Sequence, residues 1–329
     1  MNAKTTVTAV LIALAGGCDE SPAEGRAPGA TPTNPDGKAD VWNRESRIEW
    51  YDLDLLDEVY DEYDAEGAVE AASSVVAVTT AELVADWEQQ NDSVSGRFPV
   101  CEDEAFATQT AFRSKWSGVL VAEDLVLTAW HAVRDTPCEQ LRFVFGYRLE
   151  APGTVRTLQP ETDIYACSSI VLPASFEEGQ ANYDDDVDLA LVRLDRPVDA
   201  SYGVATIAPA PWEMPSPTRM LSMGHPMGMA LKIDPGFYLR DFEDSNLFEV
   251  GSDLFKGNSG GPFFDRDNRL IGVVKGGPSD FTHDQTAGCA RHAVNLAKTN
   301  RGSWAEPILR QYCDEVDAGA TWCDQLQRR

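Results

Sequence analysis

Leu125-Val126-Leu127-Thr128-Ala129-Trp130-His131-Ala132 carries an apolar strand pattern straight into a histidine. Asp188-Leu189-Ala190-Leu191 opens a second apolar run with an acid, and Gly257-Asn258-Ser259-Gly260-Gly261-Pro262 sets a serine among glycines. Each alone is a weak sign, since a lone histidine proves little. Together they supply the parts of a nucleophilic centre. A serine hydroxyl attacks only when an imidazole takes its proton, and the imidazole needs a carboxylate to fix its tautomer and stabilise its charged form. Ser259, His131 and Asp188 are thus the candidate nucleophile, general base and orienting acid. The backbone N–H groups of Gly257 and Ser259 are candidates for an oxyanion hole, because both can point at one atom only where the chain turns tightly.

Outward from these segments, the chain is punctuated by short apolar runs. Val75-Val76-Ala77-Val78, Gly118-Val119-Leu120-Val121, Leu125-Val126-Leu127, Phe143-Val144-Phe145, Leu189-Ala190-Leu191-Val192 and Ile271-Gly272-Val273-Val274 each predict a strand. Short strands at such spacing imply an all-β barrel or sandwich. Ser303 and Glu306 have the S-x-x-E spacing of a capping box ahead of Ile308, Leu309 and Tyr312, which predicts a closing helix.

The three segments resemble the T-A-A-H, D-x-A-L and G-[DN]-S-G-G-P signatures of chymotrypsin-like serine proteases, in that family's order of His, Asp, Ser, over about residues 74 to 300. The resemblance implies an all-β fold of two six-stranded antiparallel barrels, 74–200 and 201–300, with a C-terminal helix and tail over 301–329. It implies a serine endopeptidase that works through an acyl-enzyme on Ser259 and needs no cofactor. Asn258, where digestive members have Asp, is more similar to the bacterial glutamyl endopeptidases and the high-temperature-requirement proteases. An amide cannot form the ion pair with a newly cut N-terminus, so activation by that switch is not expected. Ser117 and Ala132 stand where the disulfide that commonly brackets the histidine would need cysteines. Asp253, six residues before Ser259, resembles the acid at the base of a trypsin-like pocket, implying Arg or Lys before the cut bond; a solvated turn is the plainer alternative. Val274, Lys275 and Gly276 are expected to wall that pocket. There Lys275 would repel a basic substrate side chain unless it points away, and the lack of a histidine near Val274 counts against glutamate preference.

Two other readings have discriminating features. The G-x-S-x-G elbow of α/β-hydrolases is satisfied, but that fold places acid and then histidine after the serine, and only His283 and His292 follow. A catalytically inactive, protease-like binding module displayed on the cell envelope would keep the same motifs, and an activity probe separates it from an enzyme.

Among 329 residues, 27 Lys and Arg stand against 54 Asp and Glu, a net charge of -27 that repels phosphate backbones and anionic lipid. The expected partner is a protein or peptide substrate and not nucleic acid, and the chain itself is expected to be a monomer. Lys4 ahead of the apolar stretch Val7 to Ala15 reads as an export signal over 1–17, too short to span a bilayer. Leu14-Ala15-Gly16-Gly17-Cys18 resembles a bacterial lipobox with its leucine one place too early, so acylation at Cys18 would give the sole membrane contact. Ala13-Leu14-Ala15 offers a competing cleavage site that would release the protein. Residues 18–42 are a flexible, Pro- and Gly-rich stalk. The segment 43–73 reads as acidic and propeptide-like or peripheral, with Tyr51, Leu53, Leu55, Leu56, Val59 and Tyr60 at roughly helical spacing.

Six cysteines besides Cys18 suit disulfides in an oxidising compartment, with reduced buried thiols as the alternative. The expected pairs are Cys138 with Cys167 across a strand pair, Cys313 with Cys323 locally, and Cys101 with Cys289 by elimination. No metal is expected. The acidic run Asp184-Asp185-Asp186-Val187-Asp188 lacks the Gly and Glu of an EF-hand, and His225 reads as part of a Gly-His-Pro turn.

Overall fold

The computed structural model describes residues 47–55, 64–89, 92–111, 113–172, 188–208, 216, 218–242, 245–278, 281–292, 299–320 and 322–327. The expected export signal, the stalk, Cys18 and the acidic run ahead of Asp188 lie outside the described residues.

β1 (Val75–Thr80), β2 (Trp116–Ala122), β3 (Leu125–Thr128), β4 (Leu141–Phe145), β7 (Ile164–Leu172) and β8 (Ala190–Leu194) close into a barrel in the order β1-β2-β3-β8-β7-β4. A small hairpin, β5 (Leu149–Ala151) and β6 (Thr154–Val155), lies between β4 and β7 in sequence. The second barrel runs β10-β11-β16-β13-β12-β9. Its members are β9 (Thr218–Gly224), β10 (Lys232–Asp241), β11 (Leu247–Gly251), β12 (Pro262–Asp265), β13 (Leu270–Gly276) and β16 (Asn300–Trp304), with the hairpin β14 (Phe281–Asp284) and β15 (Cys289–His292) beside it. These are the two six-stranded antiparallel barrels expected, and helix Glu306–Glu315 follows them.

The apolar runs are continuous because these strands are covered on both faces. In β1, β3 and β8, Val76, Val126 and Val192 point into the first barrel with Phe143 and Phe145. Their neighbours Val75, Leu127 and Leu191 face the other way and join Leu221, Met223, Ile233 and Val273 of the second barrel in one core. Burying each such side chain contributes roughly 1.5–3 kcal/mol. The two barrels therefore share packing along the side where the motif segments emerge.

Several local expectations need correction. The segment 43–73 is not peripheral where it is described. Ile48 exchanges two backbone hydrogen bonds with Ile233 of β10, at 2.8 and 3.1 Å, and Leu53, Ala68, Ala71 and Ala72 lie in the shared core. Helix Ala65–Ser73 begins at Asp64, whose carboxylate accepts from Gly67 N at 3.2 Å. The capping box at Ser303 does not form, because Ser303 is a buried residue of β16 and the helix opens on Glu306 and Pro307 without a side-chain cap. β16 also carries the second barrel past residue 300. β10 runs through Asp234-Pro235-Gly236 without a break. Gly236 is required there, since a Cβ would sit 2.6 Å from the carbonyl oxygen of Gly251.

The disulfides are Cys101–Cys289, Cys138–Cys167 and Cys313–Cys323. Cys138 precedes β4 and Cys167 lies in β7, the antiparallel partner of β4.

Candidate active site

Strand pairing alone brings the histidine and the acid together. β3 and β8 are antiparallel neighbours with Thr128 opposite Ala190. His131 follows Thr128 by three residues and Asp188 precedes Ala190 by two, so both emerge from the same end of one strand pair. His131 is the second residue of a one-turn helix, Trp130–Val133, and its ring Nδ1 lies 2.5 Å from Asp188 Oδ2. The His131 backbone N–H donates to the other carboxylate oxygen at 2.9 Å. Burial alone would raise the Asp188 pKa. The hydrogen bonds from the His131 ring and backbone, with the electrostatic pull of the His131 ring and of Lys275, outweigh it and hold the carboxyl below its ordinary value. Asp188 therefore remains an anion facing Nδ1.

Ser259 comes from the second barrel, on the connection between β11 and β12. Its carbonyl oxygen accepts from Ser117 N at 2.9 Å, while Thr128 Oγ1 donates to Ser117 O at 2.7 Å, which ties the serine turn to the end of β3. Gly260 has φ +80, and a Cβ there would lie 2.1 Å from Thr128 Oγ1 and 2.3 Å from Ser117 O. Only glycine permits so close an approach between the two barrels. Ser259 Oγ and His131 Nε2 make no hydrogen bond among the described residues. Catalytic hydrogen bonds of this kind commonly tighten only when substrate binds.

The two candidate oxyanion donors are oriented from behind. A trans peptide holds C=O and N–H on opposite sides. Met227 N donates to Lys256 O at 2.6 Å and Gly261 N to Asn258 O at 2.7 Å, which turns the N–H groups of Gly257 and Ser259 to the other face. Neither N–H donates to a protein acceptor among the described residues. Gly257 has φ +104, and its carbonyl accepts from Ser117 Oγ at 2.8 Å. That hydroxyl also accepts from His225 N at 2.9 Å. Ser117, noticed in the sequence only as a missing cysteine, is thus a buried hub between the barrels, and Ala132 packs into the first-barrel core.

The residues expected to form a specificity pocket are arranged differently. Asp253 is already engaged by the chain's own side chains: His292 Nε2 lies 2.7 Å from Oδ1 and Arg47 Nε 3.4 Å from Oδ2. Its expected role as a receptor for a basic substrate side chain loses its basis, because the Arg47 guanidinium and the His292 ring already face it. Val274 is 2 % exposed and bonds backbone to backbone with Gly260 and Gly261, so it braces the serine turn. Lys275 occupies a bulge between Val274 and Gly276, and its charge acts on Asp188. Gly276 pairs with Arg301.

His225 lies beneath this turn, 1 % exposed, with Nδ1 3.1 Å from Met229 O and its ring stacked on Tyr147. Burial first, and the Lys232 charge, push its pKa down to about 3 despite the hydrogen bond to Met229. An unfolded histidine titrates near 6.5, so between about pH 6.5 and 3 the unfolded chain binds the extra proton and stability falls with acidification. We expect His225 to contribute a slope of about 1.4 kcal/mol per pH unit in that window. Urea unfolding of a His225→Gln variant should show a curve flatter by that amount; an unchanged slope would contradict a neutral, buried imidazole.

No curated protein matches the chain in sequence. Among solved structures, the fold is similar to a variant of Rv3671c from M. tuberculosis H37Rv in an inactive form, at 15% identity and TM-score 0.43 over 75% of this chain and 89% of that one. The Rv3671c protease, also in an inactive form, is similar at 15% identity and TM-score 0.42 over 75% and 91% of the two chains. With a histidine and an acid joined at one strand-pair end and a glycine-bound serine set against them, residues 116–273 match the family model of the trypsin-like peptidase domain.

Proposed function

We propose that the chain is a serine endopeptidase whose acyl-enzyme forms on Ser259. The observation that carries this reading is the 2.5 Å contact of His131 Nδ1 with Asp188 beside a serine turn whose two N–H groups have no protein acceptor among the described residues. In this reading Ser259 Oγ bonds to the scissile carbonyl carbon while its proton passes to His131 Nε2. The N–H groups of Gly257 and Ser259 take the carbonyl oxygen as it becomes an oxyanion. Collapse breaks the C–N bond, and the leaving amine takes the proton from His131. Water then attacks the ester by the same route, giving the acid and free Ser259. Asp188 holds the ring and stabilises its charged form throughout.

Asn258 supports a place near the glutamyl-endopeptidase-like branch, and no preference for a basic residue is assigned to Asp253. The three disulfides support an exported protein in an oxidising compartment. Anchorage through Cys18, or release, belongs to the same proposal, as does a monomer acting on protein or peptide substrates.

A fluorophosphonate probe tests the reading. It should label the purified protein once, and a Ser259→Ala variant not at all. Absence of labelling under any condition, or equal labelling of the variant, would overturn it.

A further inference from the structure

We infer that Arg47 is a positioning residue for the oxyanion loop, a side-chain cation that orders it from within the intact chain. The inference rests on the serine-peptidase reading above. The connection from β11 to β12, residues 252–261, has no regular strand, yet it must hold Gly257 and Ser259 in one geometry. A chain that long orders itself only if contacts from outside offset its lost freedom. The usual device of a freed α-amino group would need an acid at position 258, and here Asn258 is buried.

Arg47 supplies the charge from another direction. Its side chain is 1 % exposed, and its guanidinium carbon lies 3.6 Å from the Phe255 ring centroid and 5.0 Å from that of Phe106. Its Nε faces Asp253, which His292 also engages. Arg47 thus contacts two loop residues, Asp253 and Phe255, just before the turn in which Asn258 N donates to Phe255 O at 3.0 Å. That turn sets the direction of the Gly257 and Ser259 amides.

Arg47 is itself firmly placed. Ile48 is bonded to Ile233, and Glu49 pairs with the buried Lys232 at 3.1 Å while accepting from Gln109 Nε2 at 2.8 Å. Three consecutive residues therefore dock on the second barrel, the first of them under the loop. A planar, permanently charged guanidinium stacked on an aromatic face beside a carboxylate is a geometry that lysine does not reproduce. Processing that removed Arg47 would leave the loop without this contact, so the active chain retains residue 47.

The test uses the full processed protein and Arg47→Met, Arg47→Ala, Arg47→Lys and Asp253→Asn variants. On a peptide ester, Arg47→Met should lose roughly 10- to 100-fold in kcat with KM within about threefold, since displaced donors act on the transition state. Arg47→Lys should recover only part of this. Ethylguanidinium, and not ethylammonium, should restore Arg47→Ala saturably. Independently of activity, amide hydrogen exchange in a Ser259→Ala background should speed up about tenfold or more over residues 252–260 on adding Arg47→Met, with β10 and β13 unchanged. Asp253→Asn should show the same local loosening, and decides the matter if the Arg47→Met protein fails to fold. Unaltered exchange in the loop, or equal acceleration across the whole barrel, overturns the inference. If the wild-type protein hydrolyses nothing and takes no fluorophosphonate, the catalytic reading fails while the exchange data still decide the role of Arg47.

Discussion

Replacing Asp188 by asparagine is expected to lower kcat/KM on a peptide ester about 10⁴-fold while leaving the fold intact. Asp188 accepts twice from one residue, from the backbone N–H of His131 through Oδ1 and from ring Nδ1 through Oδ2. Asparagine retains one oxygen, and the rigid backbone N–H claims it. The amide NH₂ then faces Nδ1, which must become an acceptor, so the ring proton moves to Nε2. A ring protonated at Nε2 cannot take the proton of Ser259. The loss thus arises from the wrong tautomer and not from a missing charge alone. Steady-state kinetics check the magnitude, and thermal unfolding checks that the variant is folded. A loss smaller than about tenfold in a folded variant would show that this carboxylate does not set the state of His131.

The residues that matter most for this result were also the most legible in the sequence. Glycine and apolar residues around His131, Asp188 and Ser259 report backbone conditions that are local, such as a strand end or a turn with positive φ at Gly257. Strand periodicity was equally direct where both faces are covered, as in β1 and β3. What the sequence hid depends on distant partners. Arg47 and Asp253 are 206 positions apart, and only the closure of the second barrel places one against the other. Ser117 looked like an absence, a cysteine not present, because nothing local shows that its hydroxyl bridges Gly257 and His225. Ser303 illustrates the opposite failure. Its spacing to Glu306 satisfies a capping pattern, but tertiary pairing with Leu247 and Val273 claims it for β16. Pro235 is tolerated in β10 because β11 pairs only from Phe237 onward, so its missing N–H costs no ladder bond on that side.

The largest effect on stability is expected at Asp163, far from the serine in sequence and unmarked by any motif. Its side chain is 1 % exposed in the first barrel. The carboxylate accepts from Arg156 Nη1 at 2.7 Å, Arg156 Nη2 at 3.3 Å, Gln159 N at 2.6 Å, Thr162 Oγ1 at 3.1 Å and Tyr202 Oη at 2.7 Å. Burial alone would raise its pKa. The Arg156 ion pair and the hydrogen bonds from Gln159 and Tyr202 reverse this and hold the carboxyl below its ordinary value. Asp163→Asn keeps the shape but removes the charge and turns an NH₂ donor toward other donors. Breaking one side of a buried pair costs about 3–5 kcal/mol, and urea unfolding at neutral pH with disulfides intact should show that loss at an unchanged m-value. The pH dependence gives the sign. A depressed carboxyl pKa stabilises the folded state above the unfolded value, near 3.9, and that contribution disappears as pH falls through the folded pKa. The gap between wild type and variant should therefore be full at pH 7 and shrink once the solution is more acidic than about pH 4. A gap under about 1 kcal/mol at neutral pH, or one that persists undiminished in acid, would place the stabilisation elsewhere than in this carboxylate.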